Sequence, residues 1–347
     1  MKKIKGQRIP VFLASDDNYA PFLAVTLKSI FDHASADNFY EIIILSTDLS
    51  KDNEEKINAL KTENSSIKFV SMKDQIEKIK SLFPIRDYYS IETYYRIFIA
   101  DLFPQYDKVI YLDCDVVTVT DIAELYNVNL GNNLVAAAHE DVADILEVYR
   151  RYIRYALDCN PRKYFSAGIL LMNTKLFRKE AFSRKFLNLM SKYTFRITQD
   201  EDYLNVLCKG RTRLLNLGWN RGAFPLKSFK EKNLKIIHYK LNWKPWKVDD
   251  ALYEDHFWNY ASKTPYGQII ADRKASYSDE RKRKDVEDFH RLLSWIEEDV
   301  VDPYNYRNAE VMKGFTKIRR NVLHAMGKVT YVGRFVMYVG RSLFRTA

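Results

Sequence analysis

Asp113 and Asp115 stand two residues apart at the end of the apolar run VIYL (109–112), with Cys114 between them. In an extended chain residues i and i+2 project to the same side, so the two carboxylates converge while Cys114 points the other way. Charge at the end of a buried strand is costly unless something cationic shares it. A metal ion, a basic side chain or water could do so, and two converging carboxylates make a platform for a divalent ion. A second acidic group, Asp200, Glu201 and Asp202, follows Gln199 ahead of the apolar run Tyr203 to Leu207. These carboxylates either complement the dipole of a helix's first turn, with Thr198 as its cap, or send one member to a polar substrate. His238, after the run KII (235–237), offers an imidazole that could complete a transition-metal site, or serves as an ordinary structural histidine. Lys244, in the same stretch HYKLNWKPW (238–246), can approach phosphates as a compact charge. In ASDDNYA (14–20), Asp16 and Asn18 can cap a following helix and hydrogen-bond a base or ribose. No glycine-rich phosphate loop occurs, so a bound nucleotide would need a metal and cationic side chains at its pyrophosphate.

The elements that must hold these groups alternate between strand and helix. Apolar runs predict strands at 10–14, 40–46, 67–71 and 108–112, with helices at 19–32, 50–63 and 91–102 between them. Further strands are expected at 134–138, 168–172 and 235–239, and helices at about 141–157 and 175–193. Such alternation predicts an α/β fold with parallel pairing through helical crossovers, and ligands beyond the carboxyl ends of its strands. Past residue 262 the text becomes charged, and ADRKASYSDERKRKDVEDF reads as a solvated helix or linker. Phe289 to Val301 reads as a short amphipathic helix. The last segment sets Val332, Val336, Val339 and Leu343 on one helical face and Arg334, Arg341 and Arg345 on the other. The expected organisation is a catalytic domain over 1–262, a charged helical linker over 263–305 and a basic amphipathic tail over 306–347.

Bulk properties narrow the class. With 47% hydrophobic and 29% charged residues in 347, the chain is globular rather than disordered, and no stretch is apolar for long enough to cross a bilayer. The formal net charge of +10 gathers in the tail, where nine Lys and Arg residues from Arg307 onward face Glu310 alone. An apolar stripe backed by cations suits an anionic membrane surface or, equally, a terminal helix docked on the domain, and has no obvious role on nucleic acid, so nucleic acid is not expected. Three widely spaced cysteines give no disulfide framework, which fits a reducing, cytoplasmic setting.

Taken in order, ASDDNY (14–19), TYYR (93–96), YLDCDV (111–116), YFSAGILLMN (164–173), QDEDYLN (199–205) and HYKLNWKPW (238–246) resemble the family 8 glycosyltransferases, the group of bacterial lipopolysaccharide galactosyl- and glucosyltransferases and the glycogenins. The likeness runs from about residue 9 to about residue 262. It implies a GT-A fold with a mixed sheet flanked by helices, and Mn²⁺ as cofactor with Mg²⁺ as the alternative. It also implies a UDP-glucose or UDP-galactose donor and transfer with retention to a glycan or lipid-linked acceptor. Carried across, Asp113, Asp115 and His238 are the metal ligands, with Cys114 inside the same donor-binding run. Ala14, Asp16 and Asn18 hold uridine and ribose, and Lys244 meets phosphate. Arg96, Ala167 and Gly168 border the sugar, and Asp200, with Glu201 and Asp202, supplies the reaction's carboxylates. The chain departs from the family pattern at Glu201, where galactosyltransferase relatives often carry Gln, at Ser166 for Asn, and at Leu241 for Gly. The rival reading is a haloacid-dehalogenase-type phosphatase with Asp113 as nucleophile, because YLDCDVV also fits that motif. A full strand-helix-strand set precedes it here, where such a motif would normally open the domain.

Overall fold

The computed structural model describes residues 6–77 and 91–312. Seven strands form the main sheet: β1 (Arg8–Ala14), β2 (Phe39–Ser46), β3 (Ser65–Ser71), β4 (Val109–Leu112), β6 (Val135–Ala138), β7 (Ile169–Met172) and β8 (Thr212–Leu215), in the order β3-β2-β1-β4-β7-β6-β8. A smaller sheet of order β5-β10-β9 is made by β5 (Val116–Thr118), β9 (Arg221–Gly222) and β10 (Ile236–His238).

Both faces of the main sheet are covered, and the period-2 geometry of the strands divides their side chains between two cores. Val11, Leu13, Ile42, Ile44, Ile110 and Leu112 pack on one side with the Ala20–His33 helix. Phe12, Ile43, Leu45, Val109 and Tyr111 pack on the other with Tyr149, Tyr152, Phe186 and Tyr203. Apolar burial on two faces is why these strands read as nearly continuous apolar runs.

Strand direction follows the parallel crossover pairing for most neighbours and, at one strand, the mixed sheet that the family resemblance implies. β1 pairs in parallel with β2 and β4, β2 with β3, and β6 with β8, but β7 runs antiparallel to both neighbours, β4 and β6. The sheet is therefore mixed. Two expected helices are broken: 141–157 divides at Leu146 into Val142–Ile145 and Glu147–Tyr155, and 175–193 divides at Ala181, whose φ is +49°, into Thr174–Lys179 and Phe182–Met190. Ile91–Phe98, expected as the start of an α-helix, is a 3₁₀ helix.

Of the two readings of the charged segment beyond 262, a solvated helix or a linker, the structure shows the helix. It spans 23 residues, Asp279–Val301, capped by the Ser278 hydroxyl, and Phe289, Leu292, Leu293 and Trp295 pack half-buried around the buried Ile296. Ionic contacts tie it down: Lys247 to Asp285 at 2.9 Å, and Arg196 to Glu298 and Asp299 at 2.7 Å each. Beyond residue 312 the expected basic tail lies outside the described residues.

Candidate active site

A cavity opens beyond the carboxyl ends of β1 and β4, where the crossover arrangement leaves side chains unpaired by the sheet. Asp113 and Asp115 fill the link from β4 to β5, and the Asp113 amide donates to the Gly168 carbonyl at 2.8 Å, fixing the turn. β5 pairs antiparallel with β10 in the register His238 to Val116, which carries a histidine distant in sequence to the same spot. Ligand atoms of Asp113, Asp115 and His238 all lie within 4.8 Å of one another.

His238 is oriented for ligation. Its Nδ1 lies 2.9 Å from the buried Asn220 Oδ1, which fixes the ring so that Nε2 faces Asp115, 3.2 Å away, and Asp113, 3.8 Å away. A Cβ on Gly168 would stand 2.3 Å from His238 Cε1 and 2.7 Å from an Asp113 oxygen, so only glycine leaves this cradle open. Two carboxylates and an imidazole are a donor set for a divalent metal ion. Lys244 Nζ meets Asp115 Oδ2 at 2.5 Å and the Tyr239 carbonyl at 2.7 Å. Burial pushes the Asp115 carboxyl upward, but Lys244 and His238 outweigh it and hold the group below the usual carboxylate range.

The second acidic group lies across Arg96. This guanidinium is almost fully buried and reaches Asp113 at 2.9 Å, Asp200 at 3.1 Å and the Ala167 carbonyl at 2.5 Å, with its plane 4.2 Å over the Tyr111 ring. Burial still raises the Asp200 carboxyl to about 7, against the pull of Arg96. Glu201 accepts from the Ala167 amide at 2.8 Å and from the Tyr149 hydroxyl at 3.4 Å, and burial together with Glu140 holds it well above the usual range. Asp202 turns away from the cavity, taking hydrogen bonds from Tyr164 at 2.7 Å, Tyr152 at 2.8 Å and the Thr198 amide at 3.2 Å. These three donors absorb a buried carboxylate that would otherwise be unpaired. The cluster does open the helix Asp200–Leu207, as the first-turn reading has it, while Asp200 and Glu201 also line the cavity; Thr198 is not the cap, since Gln199 holds that position with no side-chain capping hydrogen bond and the Thr198 hydroxyl pairs with that of Tyr164 at 3.0 Å.

Other expected residues are placed as follows. Ala14, Asp16, Ala167 and Gly168 line the cavity, and Asp16 also accepts from the Tyr19 amide at 2.7 Å. Cys114 borders the cavity but is buried, its thiol directed to the Ala14 carbonyl at 3.0 Å. Asn18 is exposed and stands outside the lining, its carbonyl accepting from Arg273 at 2.7 Å. Sequence reading missed a buried network at the cavity's other end: Lys240 bridges Glu140 at 3.0 Å and Asp141 at 2.9 Å, and Arg221 meets Asp141 at 3.0 Å. Glu140 follows the strand-like run 134–138 and Lys240 follows His238 by two, which is the only signal that could have found them. Tyr149, Leu241, Phe289, Leu292, Leu293 and Ile296 complete the wall.

The same architecture occurs in solved glycosyltransferases of the GT-A class. It matches the bifunctional glycosyltransferase WbbM at TM-score 0.68 and 28% identity, covering 80% of this chain and about half, 53%, of that one. It matches the galactosyltransferase LgtC, solved with donor and acceptor sugar analogues, at TM-score 0.60 and 26% identity, covering 74% of this chain and 96% of that one. Residues 10–250 fit the family model of glycosyl transferase family 8, and the chain belongs to that family. A glycosyltransferase of Haemophilus influenzae is 32% identical over 67% of this chain and 69% of its own length. The lipopolysaccharide 1,2-glucosyltransferase of Escherichia coli is 30% identical over 67% of this chain and 70% of its own. Neither the family nor the fold supports the phosphatase reading. No helix of the described residues is long and apolar enough to cross a membrane.

Proposed function

We propose that this chain is a retaining, Mn²⁺-dependent hexosyltransferase that takes glucose or galactose from its UDP-sugar to a cell-surface glycan or a lipid-linked precursor. The observation that carries the reading is the triad of Asp113, Asp115 and His238, with His238 turned by Asn220 to present Nε2. When bound, a divalent ion supplies Lewis-acid stabilisation of the departing diphosphate. Lys244 adds a second cation at that end of the cavity, and Ala14, Asp16 and Asn18 belong to the nucleoside side. Arg96 orients Asp200 toward the sugar hydroxyls while neutralising its neighbour Asp113.

Retention follows by attack of the acceptor on the leaving-group face. Burial and the neighbouring Glu140 push the Glu201 carboxyl upward, which works against an ionised nucleophile. In this respect Glu201 behaves like the amide of the galactosyltransferase relatives, one of which, LgtC, has also been solved as a glutamine-to-glutamate active-site mutant. The tail over 306–347, following the helical segment 263–305, attaches the enzyme to the anionic inner face of the cytoplasmic membrane. The test is thermal stabilisation with a panel of UDP-sugars: UDP and Mn²⁺ together raise the melting temperature, and either alone leaves it in place. Stabilisation by UDP without any metal would count against the reading.

A further inference from the structure

The cavity wall is polar and apolar by turns. Its donor end carries the triad, Lys244 and Arg96; its other end carries the Lys240–Glu140 pair and, beside it, an apolar wall from three separate elements: Val142 and Leu146, the Leu241 turn, and Phe289, Leu292 and Ile296 of the Asp279–Val301 helix.

Leu241 is the informative member of that wall. Its φ is +53°, in the left-handed region that a residue bearing a Cβ enters at about 1–2 kcal/mol. The turn is held there from both sides. Lys240 is clamped on Glu140 and Asp141, Lys244 on Asp115, and the Asn242 amide and Lys247 ammonium both reach Asp285 of the covering helix. Strain persists where surroundings over-determine a conformation, and a glycine would occupy this one at no such cost. What leucine adds is a side chain in the cavity wall, packed with the same apolar cluster as Phe289, Leu292 and Ile296.

We infer that this wall is an acceptor subsite for a sugar carrying an apolar aglycone, and that Leu241 is a specificity-determining residue of it. The inference rests on the transferase reading and names the acceptor's chemical class. A nucleoside diphosphate is polar and is matched at the donor end, so the apolar wall is left for the second substrate. A glycan presenting only hydroxyls to this wall would be desolvated without partners, which is unfavourable. An alkyl or aryl aglycone beside the accepting sugar would instead bury apolar surface against it.

The test titrates octyl, methyl and tri(ethylene glycol) β-glucosides and β-galactosides, below micelle-forming concentrations, into the full chain with UDP and Mn²⁺ present, by saturation-transfer NMR. The octyl glycoside is expected to bind about tenfold tighter than both others, the glycol arm separating apolar contact from mere length. That preference should fall toward unity in Leu241→Gly, which also relieves the backbone strain, and in Leu292→Asn. Because the preference is a ratio within each variant, a general loss of affinity does not imitate the effect. Equal binding of the three glycosides, binding of none, or an undiminished ratio in either variant overturns the inference. Failure of UDP with Mn²⁺ to stabilise the wild-type chain strikes the transferase reading instead.

Discussion

Asp113 and Asp115 end a strand and face a histidine, a lysine and an arginine, whereas Asp200, Glu201 and Asp202 open a helix and face one arginine, several tyrosines and a further carboxylate. Lys244 and His238 hold Asp115 in its charged form. Burial pushes Asp200, Glu201 and Asp202 the other way, and hydroxyl and amide donors only moderate it. Two acidic motifs that look alike as text therefore sit in opposite electrostatic settings: neighbouring cations favour the carboxylate form of Asp115, whereas burial favours the protonated form throughout the second group. The first is ready for a cation, and the second for uncharged hydroxyls.

Arg96 is the one group that serves both, so removing it is the most severe way to break the comparison. Arg96→Met leaves Asp113 and Asp200 without their shared buried cation, and is expected to lower stability by about 3–5 kcal/mol in urea unfolding. Asp202→Asn sharpens the contrast from the second cluster alone. The Asp202 carboxyl is raised by burial from 3.8 to about 6, so the folded state holds the proton more tightly than the unfolded chain. Stability is accordingly full below pH 4 and falls as pH rises toward 6, by at most about 3 kcal/mol. Asp200, raised to about 7, extends the fall upward. Asp202→Asn should flatten the lower part of this slope in denaturation curves taken from pH 4 to 7, and an unchanged slope would show that Asp202 is charged in the fold. Gly168→Ala acts on the first cluster alone. The added methyl must displace His238 or Asp113, and metal-dependent UDP affinity should drop about tenfold. The readout is calorimetry, and an unaltered affinity would mean that the cradle is not where the cation sits.

Much of the first cluster was legible because its signals are local. The apolar strand, the i, i+2 spacing and the strand-end position are all contained in VIYLDCD. The second cluster was legible only as a charge run, since nothing in QDED says that Asp202 rotates onto Tyr152 and Tyr164, residues about 40 and 50 positions away in the chain. The reversal of β7 was hidden for a similar reason: period-2 burial marks a strand without giving its direction. The Asp279–Val301 helix was legible as a charged stretch followed by an amphipathic one, but not as one continuous helix, because its first half, DERKRKDVED, is almost entirely charged and only Phe289 onward shows the apolar spacing that docks it over the cavity. Lys240 and Glu140 carry no sequence mark beyond their places near strand ends, because a buried ion pair is defined by the partner and not by either residue.

The central claim is that a divalent cation gripped by Asp113, Asp115 and His238 holds the nucleotide. Its most direct test is calorimetric titration of UDP into protein saturated with Mn²⁺, comparing wild type with the Asp113→Ala/His238→Ala double variant, with circular dichroism to check the fold. The account predicts metal-dependent binding in the wild type that weakens at least about a hundredfold in the variant. Equal affinity in the two proteins would contradict it.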